Sequence, residues 1–362
     1  VSRDWSSDVC SSDLSMSLTS RILGRYWRLP PARTHRLTIE RGLSIPMRDG
    51  VTLLADRYYP RGGERLPVVL IRSPYGRSDL FELVSTLLSE RGLQVLLESC
   101  RGTGGSGGVL YPFFAEEHDG CDTIAWLEQQ PWFCGKLSAM GASYLGSAAW
   151  AAAHGAREKL AAVVVSNTLS DARAETFAFG GFTLESCLEW TRTMMHPEGF
   201  STRANILESL FPRLQDSMKL EQGHATRPLR DADHVTFGKQ IPWWQDWMEH
   251  AEPGDPFWNP IDYTAAVTRT LPAAMVGGWY DIFLPWLVKD FEAAHAAGRK
   301  VTLTLGPWKH TSLGSVGATL ADSLPLLHTE MNGAPEVVRP AVRLFVVGAN
   351  QWREYEIGRA HV

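Results

Sequence analysis

Short apolar runs alternate with helical patterns along most of the chain. Residues 67–72 and 93–100 are nearly continuous apolar runs, typical of strands buried on both faces, and residues 79–90 between them have helical spacing. The same order of strand and helix repeats through residues 123–130, 137–140, 144–154 and 160–166. Such alternation predicts a doubly wound, mostly parallel α/β sheet, whose first half we place at residues 15–170.

Two further regions extend the predicted sheet. Residues 37–60 alternate apolar and polar positions around a turn at Met47 to Gly50, which predicts two antiparallel strands at a sheet edge. After residue 258, strand and helix patterns resume at residues 271–276, 284–297 and 301–305. We therefore expect the second half of the α/β core at residues 259–335.

Residues 171–258 break this alternation with helical patterns, prolines and many aromatic side chains. The aromatic residues that concentrate apolar surface there are Phe177, Phe179, Phe182, Trp190, Phe200, Trp243, Trp244 and Trp247. They are consistent with the packed core of a helical subdomain or with a lid over an apolar site. In either case the pattern predicts a helical cap inserted between the two halves of the sheet.

Composition and charge exclude several classes of protein. The 362 residues are 44% hydrophobic and 21% charged, as in ordinary globular proteins. A net charge of -5 gives no electrostatic reason to expect nucleic acid or an anionic membrane as a partner. No apolar run reaches the length of a membrane span, and the N-terminus lacks a secretory pattern. The five cysteines show no metal-binding or disulfide spacing, so we expect a cytoplasmic protein without a metal.

A turn of small residues separates the strand at 137–140 from the alanine-rich helix at 144–154. Ser143 lies at this turn, where a change from strand to helix pushes its side chain out above the strand ends. In α/β-hydrolases a Gly-x-Ser-x-Gly turn of this kind holds the nucleophile. Here Gly141 and Gly146 give Gly-x-Ser-x-x-Gly, with the second glycine one residue late. The turn alone leaves two interpretations open, a nucleophile and an ordinary helix-capping serine.

Two other strands end in residues suited to acid and base chemistry. Asp281 follows the strand at 271–276, and His310 follows the strand at 301–305. Ligands of open α/β sheets bind outside the carboxyl ends of the strands, where both residues and Ser143 are expected to lie. An aspartate after a strand is often only a turn former. The order nucleophile, acid, histidine is nevertheless that of the α/β-hydrolase triad, in which His310 would take the Ser143 proton.

A glycine-rich loop supports a different hypothesis. Gly102 to Gly107 matches Gly-x-Gly-x-x-Gly after a strand, and Asp122 lies twenty positions beyond Gly102, as in dinucleotide-binding folds. That fingerprint should open a helix directly, so that free backbone amides receive the pyrophosphate. Residues 109–114 instead have an extended pattern with Pro112. We favour a tight turn here and keep a dinucleotide-dependent oxidoreductase as the remote alternative.

Six segments together resemble a known family. They are Met47 to Gly50, Ser73 to Tyr75, Arg101 to Gly107, Gly141 to Gly146, Gly278 to Asp281 and Gly306 to His310. In this combination the chain resembles the X-Pro dipeptidyl-peptidase-like serine hydrolases, the group of cocaine esterase and the α-amino-acid ester hydrolases. The late second glycine is a mark of that family. The resemblance implies an α/β-hydrolase fold with a helical cap and a C-terminal jelly-roll β-sandwich beginning at residues 336–355. A homodimer of the full-length protein is a separate expectation.

The resemblance also implies roles for individual residues. Ser143 would be the nucleophile, Asp281 the acid and His310 the base. The hydroxyl of Tyr75 and the backbone amide of Tyr144 would form the oxyanion hole. From the residues alone, Tyr75 follows a buried strand and would reach the same sheet edge, but a tyrosine packed over the turn is an equal alternative.

Trp190 and Phe283 are expected by the same resemblance to line the substrate pocket, and Phe177 is a third candidate for it. The implied reaction is cofactor-independent cleavage of a carboxylic ester or related acyl bond through an acyl-enzyme. Peptide cleavage after proline and hydrolysis of α-amino-acid esters are the alternatives. The expected substrate is therefore a small ester or a short peptide.

Both ends of the chain carry the signature of one oligonucleotide. A short DNA sequence can encode residues 8–14, and its reverse complement can encode residues 356–362. A sequencing adapter left on a read has this property, so we expect residues 1–14 and 356–362 to be adapter-derived. We then expect the chain to stop inside the sandwich, with apolar surface exposed where the remainder would pack.

Overall fold

The computed structural model describes residues 16, 18–63, 65–78, 80–195 and 214–356. Its strands are β1 (Leu37–Pro46), β2 (Thr52–Pro60), β3 (Val68–Ser73), β4 (Gln94–Ser99), β5 (Leu137–Ala142), β6 (Ala162–Ser166), β7 (Phe177–Ala178), β8 (Gly181–Phe182), β9 (Ala273–Tyr280), β10 (Val301–Lys309), β11 (Val342–Val346) and β12 (Gln351–Tyr355).

Helices lie between most of these strands, and residues 18–26 are also helical. The labelled helices are α1 (Leu80–Ser89), α2 (Glu116–Glu128), α3 (Tyr144–Gly155), α4 (Ala172–Thr176), α5 (Leu184–Met195), α6 (Leu214–Ala225), α7 (Ala232–Phe237), α8 (Pro242–Glu249), α9 (Thr264–Thr268), α10 (Leu284–Ala296) and α11 (Leu313–Asn332).

The main sheet has the strand order β1-β2-β4-β3-β5-β6-β9-β10-β11-β12. Neighbouring strands from β4 to β11 are parallel. The outer strands β1, β2 and β12 run antiparallel to their neighbours. The prediction of a mostly parallel sheet with an antiparallel N-terminal edge is confirmed.

Successive residues of the central strands pack on opposite faces of the sheet. In β3, Val68 and Leu70 belong to a core with α2, α3, α9 and α10, whereas Val69 and Ile71 belong to a core with α1 and α11. All six residues of β3 are buried. Because side chains alternate across a strand, a continuous apolar run is what a sheet covered on both faces requires.

Helix α11 is a long element that the sequence analysis did not predict. It contains Pro325, which interrupts a helical pattern because proline lacks the backbone N–H and crowds the preceding turn. The helix buries Leu320, Leu324 and Leu327 against the sheet. This packing outweighs the local cost of the proline, so tertiary context decides the structure here.

Helices α4 to α8 and the hairpin β7–β8 lie between β6 and β9, where the cap is predicted. Trp243, Trp244 and Trp247 are buried in an aromatic cluster, as the packed-core interpretation expects. Phe179 is 86% exposed. Phe200 lies outside the described residues. The cluster also includes Tyr144 from the start of α3, so the cap packs on the carboxyl edge of the sheet.

Strands β11 and β12 form a hairpin that extends the main sheet. Leu303 of β10 pairs with Val342 of β11 in parallel, and β12 then pairs antiparallel with β11. The assignment of residues 336–355 to a separate sandwich stays a prediction, as do the other domain boundaries. None of the helices formed by the described residues combines the length and apolar character that a membrane crossing needs.

Candidate active site

Ser143 lies at the sharp turn between β5 and α3. Its backbone has φ 56° and ψ -130°, a conformation that costs a residue with a side chain about 1–3 kcal/mol. Its neighbours hold this conformation in place. The Ser143 amide donates to the Ser166 carbonyl at 2.9 Å, and the Thr168 hydroxyl donates to the Ser143 carbonyl at 2.7 Å.

The two glycines around Ser143 are required by close packing. A Cβ on Gly141 would lie 2.0 Å from the carbonyl oxygen of Leu145. A Cβ on Gly146 would lie 2.6 Å from Cγ2 of Thr168. The crowded position is residue 146 because Thr168 approaches the helix there. This contact gives the late second glycine a structural reason.

The side chain of Ser143 separates the two interpretations of this turn. Ser143 occupies the N-cap position of α3, yet its hydroxyl makes no capping hydrogen bond. Instead, Oγ lies 2.8 Å from Nε2 of His310. The hydroxyl is therefore oriented toward a base and not toward the helix amides.

Asp281 lies one residue beyond β9, and its carboxylate uses both oxygens. Oδ2 lies 2.8 Å from Nδ1 of His310, and Oδ1 accepts a hydrogen bond from the Phe283 amide at 2.8 Å. The Asp281 side chain is only 1% exposed. A carboxylate at Nδ1 favours the tautomer with its proton on that nitrogen, which leaves Nε2 free to accept from Ser143. Asp281 thus bonds the backbone of its own turn and the imidazole of His310 at the same time.

His310 follows β10 and is held by contacts with its backbone and its ring. The Asn167 side-chain amide donates to the His310 carbonyl at 3.0 Å. The ring of Phe283 meets the imidazole edge-on, with centroids 5.1 Å apart. Asn167 was missed by the sequence analysis. It comes directly after β6 at the same sheet edge and has φ 46°, a conformation that asparagine tolerates better than most residues.

Tyr75 follows β3, and its hydroxyl reaches the same site. It accepts a hydrogen bond from the indole Nε1 of Trp190 at 3.0 Å and also bonds the Ser143 side chain. Burial raises the pKa of the Tyr75 phenol above its usual value, so the group keeps its proton at neutral pH. Because an indole only donates, the Tyr75 proton remains available to the site. This geometry favours an active-site role over simple packing on the turn.

Tyr144 is the first residue of α3, so its backbone N–H has no acceptor within the helix. The positive end of the helix dipole adds to the attraction for a negative oxygen there. The Tyr144 side chain turns away into the protein, where it is 3% exposed. Its ring stacks on that of Trp190, with centroids 5.9 Å apart and an interplanar angle of 7°.

The three predicted pocket aromatics lie in different surroundings. Trp190 bonds Tyr75, and Phe283 contacts His310, so both lie beside the reactive groups. Phe177 is half-buried, and its ring partners Phe182 and Trp258 are both residues of the cap. The substrate-binding role of all three remains a prediction.

Glu175, on α4 of the cap, is another group that the sequence analysis missed. Burial raises the pKa of its carboxyl to about 7, while attraction to His310 acts in the opposite direction. The same carboxyl contributes to the raised pKa of Tyr75. A titratable cap residue therefore lies within electrostatic reach of both the imidazole and the phenol.

The glycine-rich loop at Gly102 to Gly107 is a closed turn. The Gly102 amide donates to the Gly107 carbonyl at 2.9 Å, and the Gly107 amide donates to Thr52 at 2.8 Å. Irregular backbone follows until α2 begins at Glu116, so the loop does not open a helix. Asp122 accepts hydrogen bonds from Arg48. This is the tight turn that the sequence favours.

Comparison with known proteins agrees with this architecture. Residues 49–312 match the family described as X-Pro dipeptidyl-peptidase (S15 family), and this range includes Ser143, Asp281 and His310. The chain belongs to this family. The predicted resemblance is confirmed, and the match extends from the turn before β2 to the segment just beyond His310.

Individual relatives are longer than this chain. Cocaine esterase of Rhodococcus sp. (strain MB1 Bresler) is 29% identical over 352 residues, covering 88% of this chain and 59% of that protein. An aminopeptidase from the marine sediment archaeon Thaumarchaeota archaeon superposes with a TM-score of 0.70 at 22% identity, covering 91% of this chain and 60% of that protein. An α-amino acid ester hydrolase superposes with a TM-score of 0.67 at 20% identity, covering 90% of this chain and 59% of that protein. The chain spans about three fifths of these proteins, and the two structures confirm the fold.

Proposed function

We propose that this chain carries the active site of a serine hydrolase that cleaves carboxylic esters or related acyl bonds. Ser143 is the nucleophile, His310 the general base and Asp281 the carboxylate that orients the imidazole. The observation that supports this assignment most strongly is the continuous hydrogen-bonded chain from Asp281 through His310 to Ser143. Its two contacts are both 2.8 Å, and three separate strand ends supply the residues.

The reaction follows from this geometry. Nε2 of His310 takes the proton as Ser143 Oγ attacks the acyl carbon, and the Asp281 carboxylate stabilises the imidazolium. The Tyr75 hydroxyl and the Tyr144 amide donate to the oxyanion that forms. Collapse of the tetrahedral intermediate expels the alcohol, which receives the proton from His310. Water then hydrolyses the acyl-enzyme by the same steps, and no cofactor is needed.

Ester cleavage is the preferred activity, because the relative with 29% identity is named as an esterase. Peptide cleavage is the second candidate, because the family description names an X-Pro dipeptidyl-peptidase and one structural neighbour is an aminopeptidase. Hydrolysis of a p-nitrophenyl ester and of a Gly-Pro anilide separates the two. We expect the ester to give the larger kcat/KM, and a larger value for the anilide would reverse the order.

The substitution Ser143→Ala tests the assignment directly. Loss of the nucleophile of a serine triad lowers kcat by about 10⁴-fold or more, so p-nitrophenyl acetate turnover should fall to near background. Labelling by a fluorophosphonate should disappear as well. Ser138→Ala is the matched control, since Ser138 is a buried serine of β5 whose hydroxyl contacts the Met331 sulfur. Turnover or labelling that survives in Ser143→Ala would sink the proposal.

A further inference from the structure

A buried carboxylate below the serine turn has no part in the mechanism above. Glu116 begins α2 and is 3% exposed. Its Oε2 lies 2.8 Å from Nη1 of Arg72, and its Oε1 accepts a hydrogen bond from the Tyr144 hydroxyl at 2.9 Å. Glu116 therefore joins the buried ion pairs of the core to the residue that follows Ser143.

The position of Glu116 is fixed by its partners. Arg72 is 2% exposed and bonds the Glu116 carbonyl at 2.6 Å as well as its carboxylate. The same guanidinium pairs with Glu98 on the neighbouring strand at 2.7 Å. A buried charge is tolerated only with such pairing, and breaking one member leaves another uncompensated. The carboxylate of Glu116 is thus anchored to β3 and β4.

The Tyr144 side chain is held by two hydrogen bonds and by ring packing. The Phe113 amide donates to the Tyr144 hydroxyl oxygen at 2.9 Å, so the hydroxyl proton is directed to Glu116. The Phe113 ring stacks on the Tyr144 ring with centroids 4.6 Å apart. Phe113 itself has φ 70°, an unusual conformation for a bulky residue that aims its amide at the phenol.

Both donors of the oxyanion hole are connected to this side chain. One donor is the backbone amide of Tyr144 itself. The other is the hydroxyl of Tyr75, which is bonded by Trp190, and the Trp190 ring lies parallel to the Tyr144 ring. A shift of the Tyr144 side chain would therefore move one donor directly and the other through the stacked indole.

We propose that Glu116 is a positioning residue of the oxyanion hole, acting through the side chain of Tyr144 on both donors. This inference rests on the proposed function. Oxyanion donors act at about 2.7–3.1 Å from the charged oxygen, and a displacement of about 1 Å can cost roughly 10²-fold in rate. The contribution is to the transition state, so substrate affinity is unaffected.

The test uses Tyr144→Phe, which keeps the stacked ring and the backbone amide and removes only the hydroxyl. We expect kcat for p-nitrophenyl acetate to fall about tenfold, with KM within about twofold of its starting value. Binding of a trifluoromethyl ketone, which forms the oxyanion on Ser143, should weaken by the same factor as kcat/KM. Tyr59→Phe is the matched control, because it removes a tyrosine-to-glutamate hydrogen bond of 2.8 Å at β2.

Glu116→Gln tests whether the carboxylate acts through Tyr144. We expect a several-fold loss of kcat in the otherwise unchanged chain and no further loss in the Tyr144→Phe background, because residues acting as a unit are non-additive. If Glu116→Gln does not fold, the Tyr144→Phe kinetics and ketone affinity decide alone. Unchanged kcat in Tyr144→Phe, or additive losses in the double variant, would overturn the inference.

The same assays distinguish this inference from the proposed function. Turnover by the unsubstituted chain and its loss in Ser143→Ala test the function without reference to Glu116. Failure of that pair of results overturns the function and the positioning role together. Success of that pair with full activity in Tyr144→Phe overturns the positioning role only.

Discussion

Individual residues at the turn between β5 and α3 combine strain with tight packing. The strained backbone of Ser143 turns its hydroxyl away from the amides of α3 and toward His310. Thr168 contributes twice, because its hydroxyl bonds the Ser143 carbonyl and its methyl group lies where residue 146 can have no side chain. The orientation of the Ser143 hydroxyl is thus imposed by the residues packed around this turn.

The hydrogen bond from the indole N–H of Trp190 to Tyr75 is expected to contribute to kcat. Trp190→Phe keeps a ring on Tyr144 and removes the donor to Tyr75, so kcat for p-nitrophenyl acetate should fall roughly two- to tenfold, the worth of one neutral hydrogen bond. If Tyr75 is the proposed oxyanion donor, Tyr75→Phe should lower kcat by about 10²–10³-fold. In the Tyr75→Phe background, Trp190→Phe should have no further effect on kcat.

The control for this prediction is Trp243→Phe. Trp243 contacts Trp190 edge-on, and its own indole N–H bonds Thr191 at 3.4 Å, away from Tyr75. Its substitution should leave kcat within about twofold of the starting value, the range expected when no transition-state contact is removed. Equal losses in Trp190→Phe and Trp243→Phe would show that general packing, and not the bond to Tyr75, is responsible.

The sequence predicts site residues where chemistry and strand ends coincide. Ser143, Asp281 and His310 could be placed because each follows an apolar strand and their order matches a known triad. Asn167 bonds the His310 carbonyl and Glu116 bonds the Tyr144 hydroxyl, and no local pattern encodes either contact. Their partners are far away in the chain, so only the folded structure shows them.

At the scale of elements, the junction between β6 and the cap is anchored to α10. Asp290 of α10 accepts hydrogen bonds from the Ser170 amide at 3.0 Å and the Ser170 hydroxyl at 2.7 Å. The backbone of Asp171 forms an isolated antiparallel β-bridge with that of Asp262, and the Asp171 side chain caps α4. The helix that begins beside Asp281 therefore also fixes the segment at which the chain enters the cap.

The pH dependence of stability should report this junction. Burial raises the pKa of Asp290 to about 7, well above the ordinary value of an aspartate, so the folded state holds the proton more tightly. The protonated Asp290 carboxyl contributes its full stability below the pKa that it has in the unfolded chain. This stability is lost as the pH rises through the pKa that it has in the folded state. We expect Asp290→Asn to remove this loss. The variant should therefore be more stable relative to the parent at pH 8 than at pH 5.

Urea unfolding at the two pH values measures this difference. Asp231→Asn, at an exposed aspartate of the cap, controls for the removal of one negative charge. The control should shift the free energy of unfolding similarly at both pH values. An Asp290→Asn difference that does not change with pH, or that favours the variant at pH 5, would contradict the prediction.

Elements were predictable where pattern and packing agree. The strands β3, β4 and β6 are apolar because helices cover both faces, and this appears directly in the sequence. Helix α11 was not predicted because Pro325 interrupts its local pattern, although its buried leucines follow a helical period. The hairpin β7–β8 has strands of two residues each, too short for periodicity to reveal.

On the scale of the whole molecule, one end of the sheet carries exposed apolar side chains. Val338 is 90% exposed and Val337 62% in the irregular segment before β11, and Val347 directly after β11 is 52% exposed. Trp352 and Tyr355 of β12 are 38% and 43% exposed. Apolar surface concentrated in this way favours association with other apolar surfaces. That residues 336–355 begin a separate sandwich stays a prediction.

Charge placed on this surface should improve the behaviour of the chain in solution. Val338→Lys combined with Val347→Lys is expected to raise the concentration at which light scattering detects aggregates, because both valine side chains are exposed. Ester turnover per folded molecule should not change. Val235→Lys, at a less exposed valine of α7, is the control and should have the smaller effect. Equal effects at both places would contradict the prediction.

The site of covalent modification by an active-site reagent identifies the nucleophile of the proposed hydrolase. The chain is treated with a fluorophosphonate and digested, and mass spectrometry locates the added mass along the sequence. We predict one stoichiometric adduct on Ser143, formed more slowly after His310→Ala because the proposed base that activates the hydroxyl is lost. An adduct on another serine, or an unmodified Ser143 in chain that hydrolyses the ester, would contradict it.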